Sequence, residues 1–261
     1  MTRVHEHLVE DRRDHVAVLR VDRESALGAL SRGLVEALHD YLADLADDRS
    51  VRVLVLTGTG KGFIAGADIS EYHGVGADDF AEYQRLSRRV FGRLESLPQI
   101  TIAAVNGYAL GGGFEVALCC DLVVAADRAR FGLPEVKLGL LPGGGGTQRL
   151  TRATGVRFAT EAVVTGRFLS PEELQRHGVI AQIHPTAELI TKTIELAEAI
   201  AANPPLAVAA AKPLIRSAIE TSLPEGLTAE HEVLSRLFDT ADAAEGIDAF
   251  LTKRQPRFVG R

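Results

Sequence analysis

The chain has no tryptophan, one methionine and two cysteines in 261 residues, and its aromatic residues amount to only 5%. Cys119 and Cys120 are neighbours within an apolar run. Adjacent cysteines form neither a disulfide framework nor a spaced metal pair, so they read as buried thiols of a reducing compartment. A basic excess is also missing. The 29 Lys and Arg against 35 Asp and Glu leave a formal charge of −6, which argues against a general polyanion binder but not against a local basic pocket. No apolar run is long enough, and free enough of glycine, to cross a bilayer. The opening MTRVHEHLVEDRRDH is charged and lacks the apolar stretch of a signal peptide. His5, His7 and His15 lie there without metal spacing, and no metal site is expected. These absences point to a cytoplasmic globular protein with no membrane or nucleic-acid partner. The 46% hydrophobic content suffices for a sizeable core.

Glycine is plentiful, at 25 residues, and three clusters of it sit among runs of strand and helix character. Strands are expected over 15–22, 51–58, 100–107 and 122–127, where β-branched runs end at polar or glycine residues. Amphipathic spacing predicts helices over 31–48, opened by Ser31 as N-cap, and over 77–97, closed by Pro98. A short helix should start within GGGFEVALCC. The strand–strand–helix rhythm implies an α/β core with helices packed on sheets. Beyond Phe168 the texture becomes helical, with a further strand candidate at 179–184. Pro204-Pro205, Pro224 and Gly226 serve as punctuation between four tail helices. The expected division is a core over 1–200 and a helical region over 201–261.

The cluster GTGKG (58–62) follows a strand as a P-loop would. However, Gly62 stands where Ser or Thr is needed after the lysine, and Phe63 breaks a dinucleotide spacing. GGGGTQRL (143–150) suits either a helix opening that presents amides to an anion or a plain tight turn. The triplet Gly111–Gly113 runs from a buried strand into an apolar helix, so its amides should be unpaired donors at a helix N-terminus. Such donors fit the oxyanion that develops on a reacting carbonyl, and close helix–strand packing would require glycine equally well. GFIAGADIS (62–70) offers a second backbone approach site, with Asp68 placed to cap the next turn of chain.

The segments IAAVNGYALGGGFEVALCCD, IAGADIS, FGLPEVKLGLLPGGGGTQRLTR and AFLTKRQPRF resemble, in order and over nearly the whole chain, the enoyl-CoA hydratase/isomerase (crotonase) superfamily. The resemblance implies an α/β crotonase-like spiral of ββα repeats. It also implies a C-terminal helical region that builds trimers or hexamers, and an acyl-coenzyme A thioester substrate with no separate cofactor. By position the oxyanion-hole amides are those of Ala67 and Gly112. Positions matching the CoA and substrate contacts are Ala26, Ala29, Lys61, Ala65, Asp68 and Ile69, with Lys253 and Arg254 either reaching CoA phosphates or simply solvated. Glu115 and Glu135 match the two glutamates that flank a water in the hydratase branch. Glu115 would draw the proton from water, and Glu135 would supply the α-proton.

Several residues depart from the pattern. Gly28 stands where the CoA loop usually has Asn, Glu24 where it often has Pro, Ser70 where some relatives have Lys, and Leu133 where Gln is frequent. Phe114 is bulky beside Glu115. The expected activity is enoyl-CoA hydration. An enoyl-CoA isomerase, a specialised lyase, and a non-catalytic acyl-CoA- or RNA-binding relative are the rivals. The presence of Glu115 weighs against the isomerase, which generally needs only the second glutamate.

Overall fold

The start of the chain is rich in charge and has few apolar residues, and in the computed structural model of residues 1–261 this stretch forms a hairpin of β1 (Thr2–His5) and β2 (Leu8–Arg13). Only Leu8 and Glu10 of β2 are buried, so the strand's other face meets water and no continuous apolar run marks it. β2 pairs antiparallel with β3 (Val16–Val21). The expected inner strands come next as β4 (Val53–Gly58), β6 (Ile100–Val105) and β8 (Leu122–Ala126), joined to β3 in parallel order. β10 (Gln182–His184) completes a seven-stranded sheet beside β8. The inner strands are buried on both faces, as their unbroken Val, Ile, Leu and Ala runs require.

After each of β4, β6 and β8 the chain turns a corner into a three-residue strand: β5 (Gly62–Ile64), β7 (Tyr108–Leu110) and β9 (Arg130–Gly132). These form a second parallel sheet in the order β5-β7-β9. The GTGKG cluster lies at the β4–β5 corner and opens no helix, so it is not a phosphate loop. Helix α2 (Ala77–Ser96) comes after the first pair of strands and α3 (Gly112–Cys119) after the second, which gives a spiral of ββα repeats. Helix α1 (Arg32–Asp47) precedes them and lies against α2. Its N-cap is Ser31, whose hydroxyl accepts from Leu34 N at 3.3 Å.

Three helices, α4 (Gly146–Thr154), α5 (Val156–Thr165) and α6 (Pro171–Arg176), separate β9 from β10. Then α7 (Leu189–Ala201) covers the large sheet with Leu189, Thr193, Ile194 and Ala197. α8 (Pro205–Ser217), α9 (Leu223–Phe238) and α10 (Ala241–Thr252) make the tail. Pro224 and Gly226, expected as breaks, lie inside α9. Ser222 and Glu225 form a capping box at its start, and a proline in the first turn forfeits no intrahelical bond. α9 has no buried residue, and Leu223 and Phe238 are 75% and 70% exposed. No helix is long and apolar enough to cross a membrane.

Candidate active site

The segments that leave β5, β7 and β9 carry Ala65, Ala67, Asp68, Ile69, Gly112, Glu115 and Glu135, whereas Ala26, Ala29, Lys61 and Lys253 lie elsewhere in the chain. After β5 the chain makes one bridge, Leu30 with Ala67, in which Leu30 N donates to Gly66 O and Asp68 N donates to Leu30 O. Both neighbours of Ala67 are thereby tied to Leu30, so the Ala67 N–H itself faces away from that strand and has no backbone partner. After β7, Gly111 N donates to Gly132 O at 2.8 Å, while Gly112 is the first residue of α3 and its N–H also has no partner. The two loops are adjacent, for a Cβ on Gly111 would lie 3.8 Å from Gly66 Cα. The glycine triplet allows the close helix–strand packing foreseen for it. A Cβ on Gly113 would run into the Ile64 carbonyl, so α3 packs on β5 only with glycine there, and Gly112 is left with a bare amide.

Glu115 lies in the first turn of α3 and is 2% exposed, which rules out a solvated surface role. Its carboxylate accepts from Gly146 N at 2.7 Å, and the nearby Gly144 N–H also favours its charged form. Burial pushes its pKa up, and those two N–H groups and the Arg149 guanidinium hold it back. The GGGG cluster therefore does present amides to an anion, and that anion is the protein's own glutamate. Sequence reasoning missed Gly144 and Gly146 as site residues. The signal was a glycine run opening a helix, but nothing local says which carboxylate will meet it.

Glu135 lies on the 3-10 turn Pro134–Leu138, directly after β9. Its Oε1 lies 2.9 Å from the point where a Cβ on Gly111 would stand, and its Oε2 is buried without a hydrogen-bond partner. Burial raises its pKa to about 7, its own backbone N–H works against the shift, and the nearby Glu115 charge adds to it. Two carboxyl groups thus share one site in unlike surroundings. Leu133, 1% exposed, places its methyls about 3.0 Å from where a Gly146 Cβ would stand and so packs beneath the loop. Phe114 packs behind the helix, edge-on to Phe131 with ring centroids 5.3 Å apart.

The segment 24–29 lies along β5, where Ala65 N donates to Leu27 O at 3.1 Å, so Ala26, Ala29 and Ala65 are neighbours of the Ala67 loop. Gly28 adopts φ +75°, a left-handed conformation that Gly and Asn tolerate best. The segment is braced by Arg23, which donates to Ala29 O at 2.8 Å and to Asp68 Oδ2 at 2.7 Å. The Asp68 carboxylate also accepts from Ser70 N and Oγ, capping the 3-10 turn Ile69–Tyr72. Ser70 first and Arg23 second hold its pKa below the usual carboxylate range. Ile69 is 47% exposed. Lys61 lines a surface cavity of about 520 Å³ with Asn106, Tyr108, Arg128 and Thr186, and neither glutamate lines it. Of the two tail cations, Arg254 is committed to Glu245 and Asp248, while Lys253 caps α10 at φ +55°. No group of three or more His, Cys, Asp and Glu could hold a metal ion.

Two sheets that spiral through ββα repeats define the crotonase class of fold, here with unpaired backbone amides and one buried and one half-buried carboxyl group at the small sheet's end. The family model for enoyl-CoA hydratase/isomerase matches residues 11–261. A 2,3-dehydroadipyl-CoA hydratase of Escherichia coli is 40% identical, over 97% of this chain and 99% of its own. A crotonyl-CoA hydratase of Syntrophomonas wolfei is 35% identical over 98% and 99%. The crystal structure of an enoyl-CoA hydratase from Bacillus anthracis superposes with a TM-score of 0.96 at 39% identity, covering 98% of this chain and 100% of that one. The chain belongs to the enoyl-CoA hydratase/isomerase family, has its crotonase fold, and is an enzyme of the hydro-lyase type.

Proposed function

We propose that the protein adds water across the 2,3 double bond of a trans-2-enoyl-CoA thioester to give a 3-hydroxyacyl-CoA. The observation that carries this is the unlike pair of glutamates, Glu115 buried and Glu135 half-buried. Glu115 has its charge held by two N–H donors, whereas Glu135 has an orphaned oxygen and a pKa of about 7. The first is suited to remain a carboxylate and the second to carry a proton. In the reaction Glu115 takes a proton from water as the water oxygen bonds to Cβ. The electron pair of the double bond moves onto the thioester oxygen, where the Ala67 and Gly112 N–H groups receive the negative charge. When that charge returns, Cα takes the proton of Glu135, and a proton passed from Glu115 to Glu135 restores the starting state. Each amide of such a hole typically contributes roughly 3–4 kcal/mol to the transition state.

A double-bond isomerase needs one carboxyl group to move one proton, and the presence of Glu115 with its own pair of donors favours hydration. The 24–29 segment, Lys61, Ala65, Asp68 and Ile69 are the proposed surroundings of the CoA and acyl groups, with Asp68 acting through Arg23 and the loop it braces. Lys253 would reach a CoA phosphate from a tail that, over 201–261, we take as the trimer- or hexamer-forming region outside the 1–200 core. The exposed Leu223, Phe238 and Phe250 support that reading. The free, buried Cys119 and Cys120 fit a reducing cytoplasm. No cofactor beyond the CoA of the substrate is needed for these steps. The test is to mix purified protein with crotonyl-CoA, follow the loss of the conjugated thioester's ultraviolet absorbance and weigh the product. A gain of one water supports the proposal. An isobaric product assigns isomerase chemistry, and an unchanged substrate refutes hydration of this acyl group.

A further inference from the structure

The amides that hold Glu115 are themselves held. Gly144 N and Gly146 N belong to two peptide units flanking a third, the Gly144–Gly145 unit, whose carbonyl accepts from Arg149 Nη1 at 2.5 Å. Gly145 has φ +100°, and a Cβ there would run into Arg149 Nη1, so guanidinium and loop are in direct contact. Arg149 is fixed from behind: Nε and Nη2 donate to the two oxygens of Glu95, on α2, at 2.7 and 2.5 Å. Glu95 also accepts from Arg216 of α8 at 3.3 Å. Arg216 reaches further, to the Cys119 carbonyl at the end of α3 and to Asp121. Asp121 in turn pairs with the buried Lys212 at 2.8 Å. A chain of ionic contacts therefore runs from the tail, through α2 and α4, to the loop that grips the carboxylate.

We propose that Arg149 is a positioning residue for Glu115, locking the central peptide of the Gly144–Gly146 loop so that its two flanking N–H groups converge on one carboxylate. This rests on the hydratase reading for its consequence but not for its geometry. The guanidinium fork is what the place requires. Two of its nitrogens are needed for Glu95 while a third binds the carbonyl, and a lysine ammonium cannot span both in that plane. Its charge also favours the ionised form of Glu115. The other titratable groups around Glu115 are Glu135 on the 134–138 turn, Tyr72, and Cys119 on the same helix, with Glu95 behind Arg149. None of them supplies a second positive charge.

The test compares Arg149→Met, Arg149→Lys and Glu95→Gln with the parent. One readout uses no substrate: the titration of the Glu115 carboxyl by infrared difference, identified by its loss in Glu115→Gln. The other is the pH profile of crotonyl-CoA hydration. Arg149→Met should raise the Glu115 titration, and the acid limb of kcat/KM with it. It should lower kcat tenfold or more, with KM within twofold because Arg149 touches no substrate. Arg149→Lys should keep the titration but lose kcat, and Glu95→Gln should lose part of kcat in the same way. An unshifted titration and near-parental kcat in Arg149→Met would overturn the proposal. If that variant does not fold, parental kcat in both Arg149→Lys and Glu95→Gln would overturn it. A parent enzyme that leaves crotonyl-CoA unchanged would count against the hydratase reading alone, since the titration readout still decides the role of Arg149.

Discussion

Replacing Glu135 by Gln isolates the group whose protonation the fold controls most strongly. Burial moves its pKa from 4.5 to about 7. The parent should therefore carry the acidic proton in about half of its molecules at pH 7 and in about a tenth at pH 8, so kcat/KM should fall as pH rises through 7. The amide cannot deliver a proton. Glu135→Gln should then lose roughly 10²- to 10⁴-fold in turnover, the span usual for general acid catalysis, while its affinity for acyl-CoA stays within a few-fold. A second consequence needs no substrate. The folded pKa lies above the unfolded one, so between pH 4.5 and 7 the native state binds more protons than the unfolded state, and raising the pH through this window destabilises the fold. At full strength the shift would amount to about 3 kcal/mol, and discounting for the part of the group that water reaches leaves about 1–2 kcal/mol. Urea unfolding of parent and Glu135→Gln at pH 5 and pH 8 should show the parent losing that amount relative to the variant. A stability difference that does not change with pH would mean that Glu135 is ionised in the folded protein, and the assignment of the acid would fail.

Gly113→Ala drives a methyl into the Ile64 carbonyl and must push α3 off β5. It should cost about 1–3 kcal/mol in urea unfolding and lower kcat about a hundredfold as the Gly112 donor moves, and a parental midpoint would contradict the close packing. Asp68→Asn keeps a cap for the 69–72 turn but removes the charge that Arg23 faces. The Asp68 pKa is depressed, so its stabilisation is present above the unfolded value of 3.8 and is lost as pH falls through the lower folded value. The variant should therefore unfold more readily than the parent at pH 7 and about equally at pH 2, and a pH-independent gap would refute the ionic account.

Much of this arrangement is legible in single segments. The runs HVAVLRVD and VRVLVLTG became inner strands because a sheet buried on both faces admits few other residues. Helices α1 and α2 were readable from their apolar spacing, and the first of them also from Ser31. The small sheet was not legible, since three residues are too few to display a period of two. Nor was the N-terminal hairpin, whose charged residues lie on an edge that water reaches. Pro224 misled because a proline that would break a helix interior is harmless in its first turn.

By itself the sequence determined the candidate parts of the site: two glutamates, a glycine triplet able to bare its amides, and the order in which strands and helices present them. Only the tertiary structure decided how each glutamate behaves. Glu115 meets an N–H 31 residues further along the chain, while Glu135 leaves one oxygen without any donor. A carboxyl group's affinity for its proton depends on the water it has lost and the donors it has gained, and both are set only when distant segments close around it.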